Sequence, residues 1–150
     1  MKYTVDDIDI YIMTHNRADY LMLSIESLLN QSAGVSKITV LDNESTDNTL
    51  SAVERFSSRG VRYIRTKGFL GNFKKAQEIA SGKYVMLFHD DDILHPLYLE
   101  LALQVLNEKD DISLITTRYT EFFDDDFPGM PESIVPDYYY FEKQKDFASH

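Results

Sequence analysis

Cysteine and tryptophan are both absent from this 150-residue sequence. Without cysteine, disulfide bonds and thiolate metal sites are excluded. The chain is also poor in positive charge, because 15 Lys and Arg stand against 25 Asp and Glu, which gives a formal net charge of −10. Nonspecific nucleic-acid binding needs surplus Lys and Arg, so no nucleic-acid partner is expected.

A long hydrophobic run is missing as well. The N-terminal stretch MKYTVDDIDIYIM carries three Asp and does not resemble a secretory signal peptide, and no segment reaches the ~20 apolar residues of a membrane span. What is present is a hydrophobic fraction of 43% and an aromatic fraction of 13%. These values are typical of a globular domain and too high for a disordered chain.

Strand-like and helix-like segments alternate between residues 8 and 117. Five short apolar runs predict β-strands over residues 8–14, 37–42, 61–66, 83–89 and 111–117. The fourth run, KYVMLFH, is almost wholly apolar, which predicts a strand buried on both faces. The order βαβαβαβαβ with short connections predicts a Rossmann-like, mostly parallel sheet with helices on both faces, a three-layer α/β/α fold.

The intervening segments have helical spacing and helix-end signals. Ser45 or Thr46 is expected to cap the second helix, Gly82 to end the third as a C′ glycine, and Pro96 to be the first residue of the fourth. The predicted buried faces are Leu21, Ile25, Leu28 and Leu29 in the first helix, Leu50, Val53 and Phe56 in the second, and Phe73, Ala76 and Ala80 in the third.

Polar clusters come directly after each of the first four predicted strands. They begin at Thr14, Asp42, Thr66 and Asp90. Ligands of open parallel sheets bind beyond the carboxyl ends of the strands, near the point where the strand order reverses. The topology alone therefore predicts that these clusters share one rim and form a ligand site.

The acidic triplet Asp90, Asp91 and Asp92 closes the most apolar segment, YVMLFHDDD. Adjacent carboxylates repel, and each raises the pKa of the next, so a bound cation is expected to compensate. Hard oxygen ligands suit Mg²⁺ or Mn²⁺, which commonly share a substrate phosphate. The alternative is a solvated acidic turn that caps the next helix.

The other candidate residues each have a plain structural alternative. The loop Thr14, His15, Asn16, Arg17 would cradle a nucleotide or form a helix N-terminal turn with an exposed Arg. Asp42 would accept hydrogen bonds from a base or ribose, or make an Asx turn. Lys75, or its neighbour Lys74, would meet a diphosphate or stay solvated. These residues alone leave the alternatives open.

Four stretches resemble family 2 glycosyltransferases, which have the A-type glycosyltransferase fold. They are YIMTHNRADYLMLSIESLLNQ, ITVLDNESTDNTL, KGFLGNFKKAQEIASGKYVMLFHDDD and ILHPLYLE, in the family's order over roughly residues 8–117. The resemblance implies metal-dependent transfer of a sugar, with inversion, from a UDP- or dTDP-linked donor to an acceptor hydroxyl. The usual setting is bacterial surface polysaccharide synthesis.

The resemblance also implies roles for the rim residues. Thr14, Asn16 and Arg17 would lie in the first nucleotide loop, with Asp42 on the base. Asp90 to Asp92 would be the family's Asp-x-Asp motif: Asp90 faces the ribose, Asp91 assists, and Asp92, with Asp90, binds Mn²⁺ or Mg²⁺. Glu44 departs from the family, which often has a small residue at that position.

The catalytic base is not assigned. Glu121, Asp137 and Glu142 are the carboxylates after the fifth strand considered for it, but they match no motif, so the base that takes the acceptor's proton is expected beyond the chain end. The resemblance implies a nucleotide-sugar-binding α/β domain over residues 1–118 and, over 119–150, the start of an acceptor-side segment or tail of a truncated enzyme.

The same resemblance implies the partners and the location. They are a nucleotide-diphosphate sugar and a glycan or lipid-linked acceptor, in the cytoplasm or at the inner face of the membrane. Peripheral membrane association would come through the missing C-terminal part. Two alternatives stay open from the sequence: a non-catalytic nucleotide-sugar-binding fragment, and a haloacid-dehalogenase-type phosphohydrolase in which Asp90 attacks phosphorus and Asp92 assists.

Overall fold

The computed structural model describes residues 1–68, 70–117 and 119, and the backbone of 138–142. In these parts the α-helices are α1 (Ala18–Leu29), α2 (Thr49–Glu54), α3 (Gly71–Ile79) and α4 (Tyr98–Glu108). The strands are β1 (Ile8–Thr14), β2 (Ile38–Asn43), β3 (Val61–Thr66), β4 (Tyr84–His89), β5 (Ile112–Thr117) and β6 (Tyr138–Glu142).

The central sheet has four parallel strands in the order β3-β2-β1-β4. The chain moves outward from β1 to β3 and then returns to place β4 on the other side of β1. The strand order therefore reverses between β1 and β4, and the loops after these two strands flank the switch point where such sheets bind ligands. The predicted mostly parallel α/β fold is confirmed.

The two sheet faces bury side chains to different extents. On one face, Ile8, Ile10 and Ile12 of β1 pack with the main core, to which α1 contributes Leu21 and Ile25. On the other face, a small cluster under α3 is formed by Tyr11, Leu41 and Ala76. Burying both faces explains why β1 is enclosed along its whole length.

The prediction that β4 is buried on both faces is wrong. Within the described residues β4 pairs with β1 alone, and its residues alternate between sheltered and open positions. Val85 and Leu87 are 46% and 43% exposed, whereas Phe88 faces the main core. The continuous apolar run did not reveal that one face of the strand is open.

The fifth strand was also predicted wrongly as part of the parallel sheet. β5 pairs with β6 in a separate antiparallel pair. Leu114 of β5 is 55% exposed, so this strand lacks the two-sided burial of a central parallel strand.

Several predicted helix ends and faces are corrected. Neither Ser45 nor Thr46 caps α2; the side chain of Asp47 accepts the Thr49 backbone N–H at 3.0 Å. Pro96 lies two residues before α4 begins. Leu50, Phe73 and Ala80 are exposed, while the face of α1 formed by Leu21, Ile25 and Leu28 is buried as predicted.

Gly82 does not end α3 as a left-handed C′ residue, because Ala80, the residue just after the helix, is already extended and Gly82 has no positive φ. Glycine is required there for space. A Cβ at Gly82 would lie 2.7 Å from the carbonyl oxygen of Asp7 and 3.1 Å from the nitrogen of Asp9. Both neighbours are backbone atoms, so any side chain would displace the start of β1 or β4.

Asp9 anchors this end of the sheet, opposite the rim. Its buried carboxylate accepts the backbone N–H groups of Ser81 and Gly82 at 2.7 Å each and pairs with Lys37 at 3.1 Å. Burial alone would raise the pKa of Asp9, but these hydrogen bonds and the Lys37 charge outweigh it and lower the pKa to about 2.

We therefore expect Asp9 to stabilise the fold above its ordinary pKa near 3.8 and to lose that effect as the pH falls through about 2. Between pH 5 and pH 2.5, the unfolding free energy of the wild type should drop about 1.5 kcal/mol more than that of Asp9→Asn. Urea titrations at the two pH values measure this, with Asp110→Asn as an exposed control. Equal pH slopes for wild type and Asp9→Asn would contradict the assignment.

The described part of the chain contains no helix with the length and apolar character needed to cross a membrane.

Candidate functional site

The rim at the carboxyl end of the parallel sheet collects the predicted polar residues. Thr14 of β1 lies opposite Asp42 of β2 in the strand register, and Asn43 lies opposite Thr66 of β3. On the other side of β1, Met13 lies opposite His89, the last residue before the acidic triplet. The register thus places all four strand ends at one level.

The loops after β1 and β2 are joined by hydrogen bonds. Asn16 has a left-handed backbone (φ 54°), which Asn tolerates better than most residues. Its backbone N–H donates to Ser45 Oγ at 2.8 Å, and its side-chain oxygen accepts the Thr46 N–H at 2.7 Å. His15 Nδ1 lies 2.6 Å from the carbonyl oxygen of Asn43 and must carry the proton in that bond.

Asp42 is 1% exposed, and both of its carboxylate oxygens have partners. Oδ1 accepts the backbone N–H of Ser45 at 3.0 Å and the Ser45 hydroxyl; Oδ2 accepts the Tyr63 hydroxyl at 2.5 Å. Arg65 approaches Oδ2 to 4.0 Å. These bonds fix Asp42 at the rim, and Oδ2 accepts one described hydrogen bond, which leaves one of its lone pairs open.

The acid turn, which we define as Asp90 to Asp92, contains the charge that the sequence left uncompensated. A cation of the chain itself lies beside this turn: Nη1 of Arg17 lies 2.6 Å from Asp91 Oδ2 and 3.3 Å from Asp90 Oδ1. The bound cation expected from the sequence stays a prediction. Asp90 is 4% exposed, and the Arg17 side chain is half exposed. This contact joins the loop after β1 to the loop after β4, across the switch point.

Asp92 has no such cation beside it among the described contacts. It is exposed, yet neighbouring protein atoms remove part of the water around its carboxyl group. That desolvation raises the pKa of Asp92, and the charge of Asp91 raises it further. Smaller effects come from His89, which lowers this pKa, and then from Asp90, which raises it. Within the described residues no three His, Cys, Asp or Glu side chains are grouped as a metal site.

Lys75 is placed differently from the other candidates. Its ammonium group pairs with Glu78 at 3.1 Å, one turn further along α3 and away from the start of that helix. No described contact joins it to the residues of the rim. Its role toward a diphosphate stays a prediction.

A cleft of about 250 Å³ opens on the α3 side of the rim, with Met13, Asn43, Asn72 and His89 among its lining residues. Asn43 Oδ1 and, at the end of β1, Thr14 Oγ1 are buried without a hydrogen-bond partner among the described residues. Buried polar atoms are nearly always paired. These two atoms are therefore candidates for contact with a ligand.

Sequence reasoning missed three residues that shape this rim. Tyr63 holds Asp42, Asn72 donates weakly to the Thr14 carbonyl at 3.5 Å, and Ser24 contacts the acid turn from α1. Of these three, Ser24 alone could have been recognised from the sequence, because it is a polar residue inside the apolar face of a helix. Tyr63 and Asn72 lie far along the chain from their partners, and the pattern gives no sign of the pairing.

Comparison with known proteins decides the family. The family model described as "Glycosyl transferase family 2" matches residues 9–149. The chain belongs to this glycosyltransferase family. That membership decides against the haloacid-dehalogenase alternative and confirms the family resemblance of the sequence.

The curated relatives include an uncharacterised glycosyltransferase and enzymes named for different activities. An uncharacterised glycosyltransferase of Methanocaldococcus jannaschii is 28% identical over 147 residues, which cover 93% of this chain and 50% of the relative. Chondroitin synthase of Pasteurella multocida is 30% identical, covering 74% of this chain and 12% of that enzyme. The β-1,3-glucosyltransferase WfgD of Escherichia coli, named for UDP-Glc and α-D-GlcNAc-diphosphoundecaprenol, is 28% identical over 115 residues, which cover 75% of this chain and 45% of that enzyme. The chain thus spans half or less of the length of each.

Solved structures agree with the fold. Staphylococcus aureus TarS (residues 1–349, in complex with UDP) superimposes with a TM-score of 0.59 and 23% identity, covering 70% of this chain and 33% of that one. Glucosyl-3-phosphoglycerate synthase of Mycobacterium tuberculosis, in complex with Mn²⁺ and UDP-glucose, gives a TM-score of 0.56 and 21% identity, with coverages of 73% and 45%. At this identity the likeness shows the fold alone.

Proposed function

We propose that this family 2 glycosyltransferase binds a UDP- or dTDP-linked sugar at the rim and transfers the sugar with inversion to an acceptor hydroxyl. The observation that carries the proposal is the contact of Arg17 with Asp90 and Asp91, because it brings the predicted nucleotide loop and the acid turn together at the switch point. The buried, unpaired Thr14 Oγ1 and Asn43 Oδ1 support the same location.

A divalent cation fits the residues of the acid turn. Asp92 and Asp90 are hard oxygen donors, and Mg²⁺ or Mn²⁺ is usually held by one or two carboxylates together with substrate phosphates and water. A group of three protein ligands is therefore not required of such a site. The cation would offset negative charge that grows on the diphosphate leaving group. The Mn²⁺ and UDP-glucose named for the mycobacterial structure support this choice.

The chain's own residues would orient the donor. Asp42 is fixed by Ser45 and Tyr63, so it can present a lone pair to a base N–H without losing its position. The loop from Thr14 to Arg17 is fixed by its bonds to the β2 loop and would place backbone and side-chain groups along the nucleotide. Rigid donors and acceptors of this kind reduce the entropy lost on binding.

The acceptor side is proposed from the relatives. The names of chondroitin synthase and of WfgD, which includes α-D-GlcNAc-diphosphoundecaprenol, support a glycan or lipid-linked acceptor in polysaccharide synthesis. The location that we propose for this transfer is the cytoplasm or the inner face of the membrane. Glu121, Asp137 and the side chain of Glu142 lie outside the described residues. The catalytic base, and the division into a donor domain of residues 1–118 and a segment 119–150, stay predictions.

Thermal unfolding with UDP, dTDP and GDP, each with and without Mn²⁺, tests the site. UDP or dTDP at about 100 times its Kd should stabilise the protein by about 2.7 kcal/mol, or roughly 5–10 °C, and should do so only with Mn²⁺. Stabilisation that is absent, or equal without the metal, would contradict the proposal. Donor hydrolysis in the same samples separates a transferase site from a site that only binds.

A further inference from the structure

Helix α1 carries three polar side chains on its buried side. Ser24 and Ser27 are completely buried among the apolar residues of that face, and Gln31, just past the helix end, is buried too. All three are directed at one segment, residues 90–99, which runs from the acid turn into α4. We call Ser24, Ser27 and Gln31 the α1 polar row.

Ser24 is the member that meets the acid turn. Its hydroxyl oxygen lies 2.8 Å from the carbonyl oxygen of Asp90 and 2.6 Å from that of Asp92. A serine hydroxyl has a single hydrogen, so the two carbonyls share it or take it in turn. Ser24 thereby links the first and the last residue of the acid turn through their backbones.

The acid turn has little hydrogen bonding of its own. The backbone N–H of Asp92 is 3.4 Å from the carbonyl oxygen of His89, which is long for an N–H to carbonyl bond. Arg17 contacts the side chains of Asp90 and Asp91 from the half-exposed side. The buried hydroxyl of Ser24 therefore gives the backbone of the turn two short contacts from α1.

The rest of the α1 polar row holds the segment between the acid turn and α4. Ser27 Oγ accepts the N–H of Leu94 at 3.0 Å and donates to the Ser24 carbonyl at 2.8 Å. Gln31 donates to the His95 carbonyl at 2.8 Å and accepts the Leu99 N–H at 3.0 Å, in the first turn of α4. Ser24 and Ser27 thus share residue type, helix and burial but hold different parts of the chain.

We propose that Ser24 is a positioning residue that sets the spacing of Asp90 and Asp92 for the bound metal and the donor diphosphate. This inference rests on the proposed function of the rim. The hydroxyl touches no ligand; it acts by fixing the two backbone carbonyls next to the carboxylate-bearing Cα atoms. Outer-sphere groups that orient metal ligands commonly change metal affinity 10- to 100-fold when they are removed.

Ser24→Ala and Ser27→Ala make a matched pair for the test. Both variants lose a buried hydroxyl, so both should lower the melting temperature to a similar extent. Calorimetric titration with Mn²⁺ and UDP should show about tenfold weaker binding for Ser24→Ala and a change of less than about twofold for Ser27→Ala. Wild-type affinity in Ser24→Ala, or an equal loss in both, would overturn the inference.

A readout without ligand separates this inference from the proposed function. Amide hydrogen exchange at Asp91 and Asp92 should be faster in Ser24→Ala than in wild type or Ser27→Ala. Ser24→Cys keeps a hydrogen-bond donor, weaker than the hydroxyl and on a larger atom, and serves as the second variant if Ser24→Ala does not fold. It should be intermediate in both readouts. If exchange is faster in Ser24→Ala but the wild type does not bind Mn²⁺ and UDP, the proposed function and the role of Ser24 in positioning metal ligands are overturned. The backbone contact of Ser24 with the acid turn would still stand.

Discussion

Asp92→Asn is expected to abolish Mn²⁺-dependent UDP binding while the fold survives. Asp92 is exposed, and the carboxyl group makes no described contact that the core needs, so the amide should leave the melting temperature nearly unchanged. Neutralising it removes one of the two carboxylates that we assign to the cation. Without the cation the diphosphate faces Asp90 and Asp91 directly, and we expect calorimetry to show an affinity loss of at least ~100-fold.

The matched control is Glu44→Gln, which removes one negative charge from the same rim. Glu44 lies in the loop after β2, is exposed, and contacts Lys67 only at 4.0 Å. Both variants change the net charge equally, so a general electrostatic effect would weaken or strengthen UDP binding to the same degree. If Asp92→Asn binds Mn²⁺ and UDP as tightly as Glu44→Gln does, Asp92 is not a ligand of the cation.

Arg17→Gln is expected to raise the affinity for Mn²⁺ alone and to lower the affinity for Mn²⁺ and UDP together. Arg17 competes for Asp90 and Asp91 in the ligand-free protein, where a half-exposed ion pair contributes about 1 kcal/mol. Its removal should let Mn²⁺ alone bind roughly fivefold more tightly. In the presence of UDP, Arg17 is expected to turn to the diphosphate, so the variant should bind Mn²⁺ and UDP together at least ~10-fold more weakly.

Arg55→Gln supplies the same charge change away from the rim, on the exposed residue just after α2. It should alter neither affinity by more than about twofold. Electron paramagnetic resonance of free Mn²⁺ measures the metal alone, and calorimetry measures UDP at saturating Mn²⁺. If Arg17→Gln changes the Mn²⁺ affinity and the UDP affinity in the same direction, Arg17 does not exchange the carboxylates for the diphosphate.

Most of the fold could be predicted from the sequence, because local residue patterns decide which segments form strands and which form helices. The bounds of β1 and β3 were predicted to the residue, and alternation of strands and helices was enough to predict a parallel sheet. The burial of β4 and the pairing of β5 were predicted wrongly for one reason. A continuous apolar run looks the same whether its strand has neighbours on both sides or stands at an edge of the described sheet.

The sequence was enough to predict which residues meet at the rim, but not which groups they contact there. Strand ends must meet at one rim, so Thr14, Asp42 and Asp90 could be brought together from topology. Which groups they touch could not be predicted, because Arg17 lies 73 residues from Asp90, and Tyr63 lies 21 residues from Asp42. The structure places the Arg17 guanidinium beside the acidic triplet, a contact that the sequence did not predict. The bound cation expected there stays a prediction.

Paramagnetic broadening of backbone amide signals by Mn²⁺ in the presence of UDP tests most directly whether the metal and the diphosphate bind at the rim. We predict that substoichiometric Mn²⁺ broadens the signals of Asn16, Arg17, Asp91 and Asp92 first, and spares Ser81 at the opposite end of the sheet. The same addition to Asp92→Asn should broaden none of these four selectively. Broadening centred on acidic residues elsewhere, with the rim signals intact, would contradict a metal and diphosphate site at the switch point.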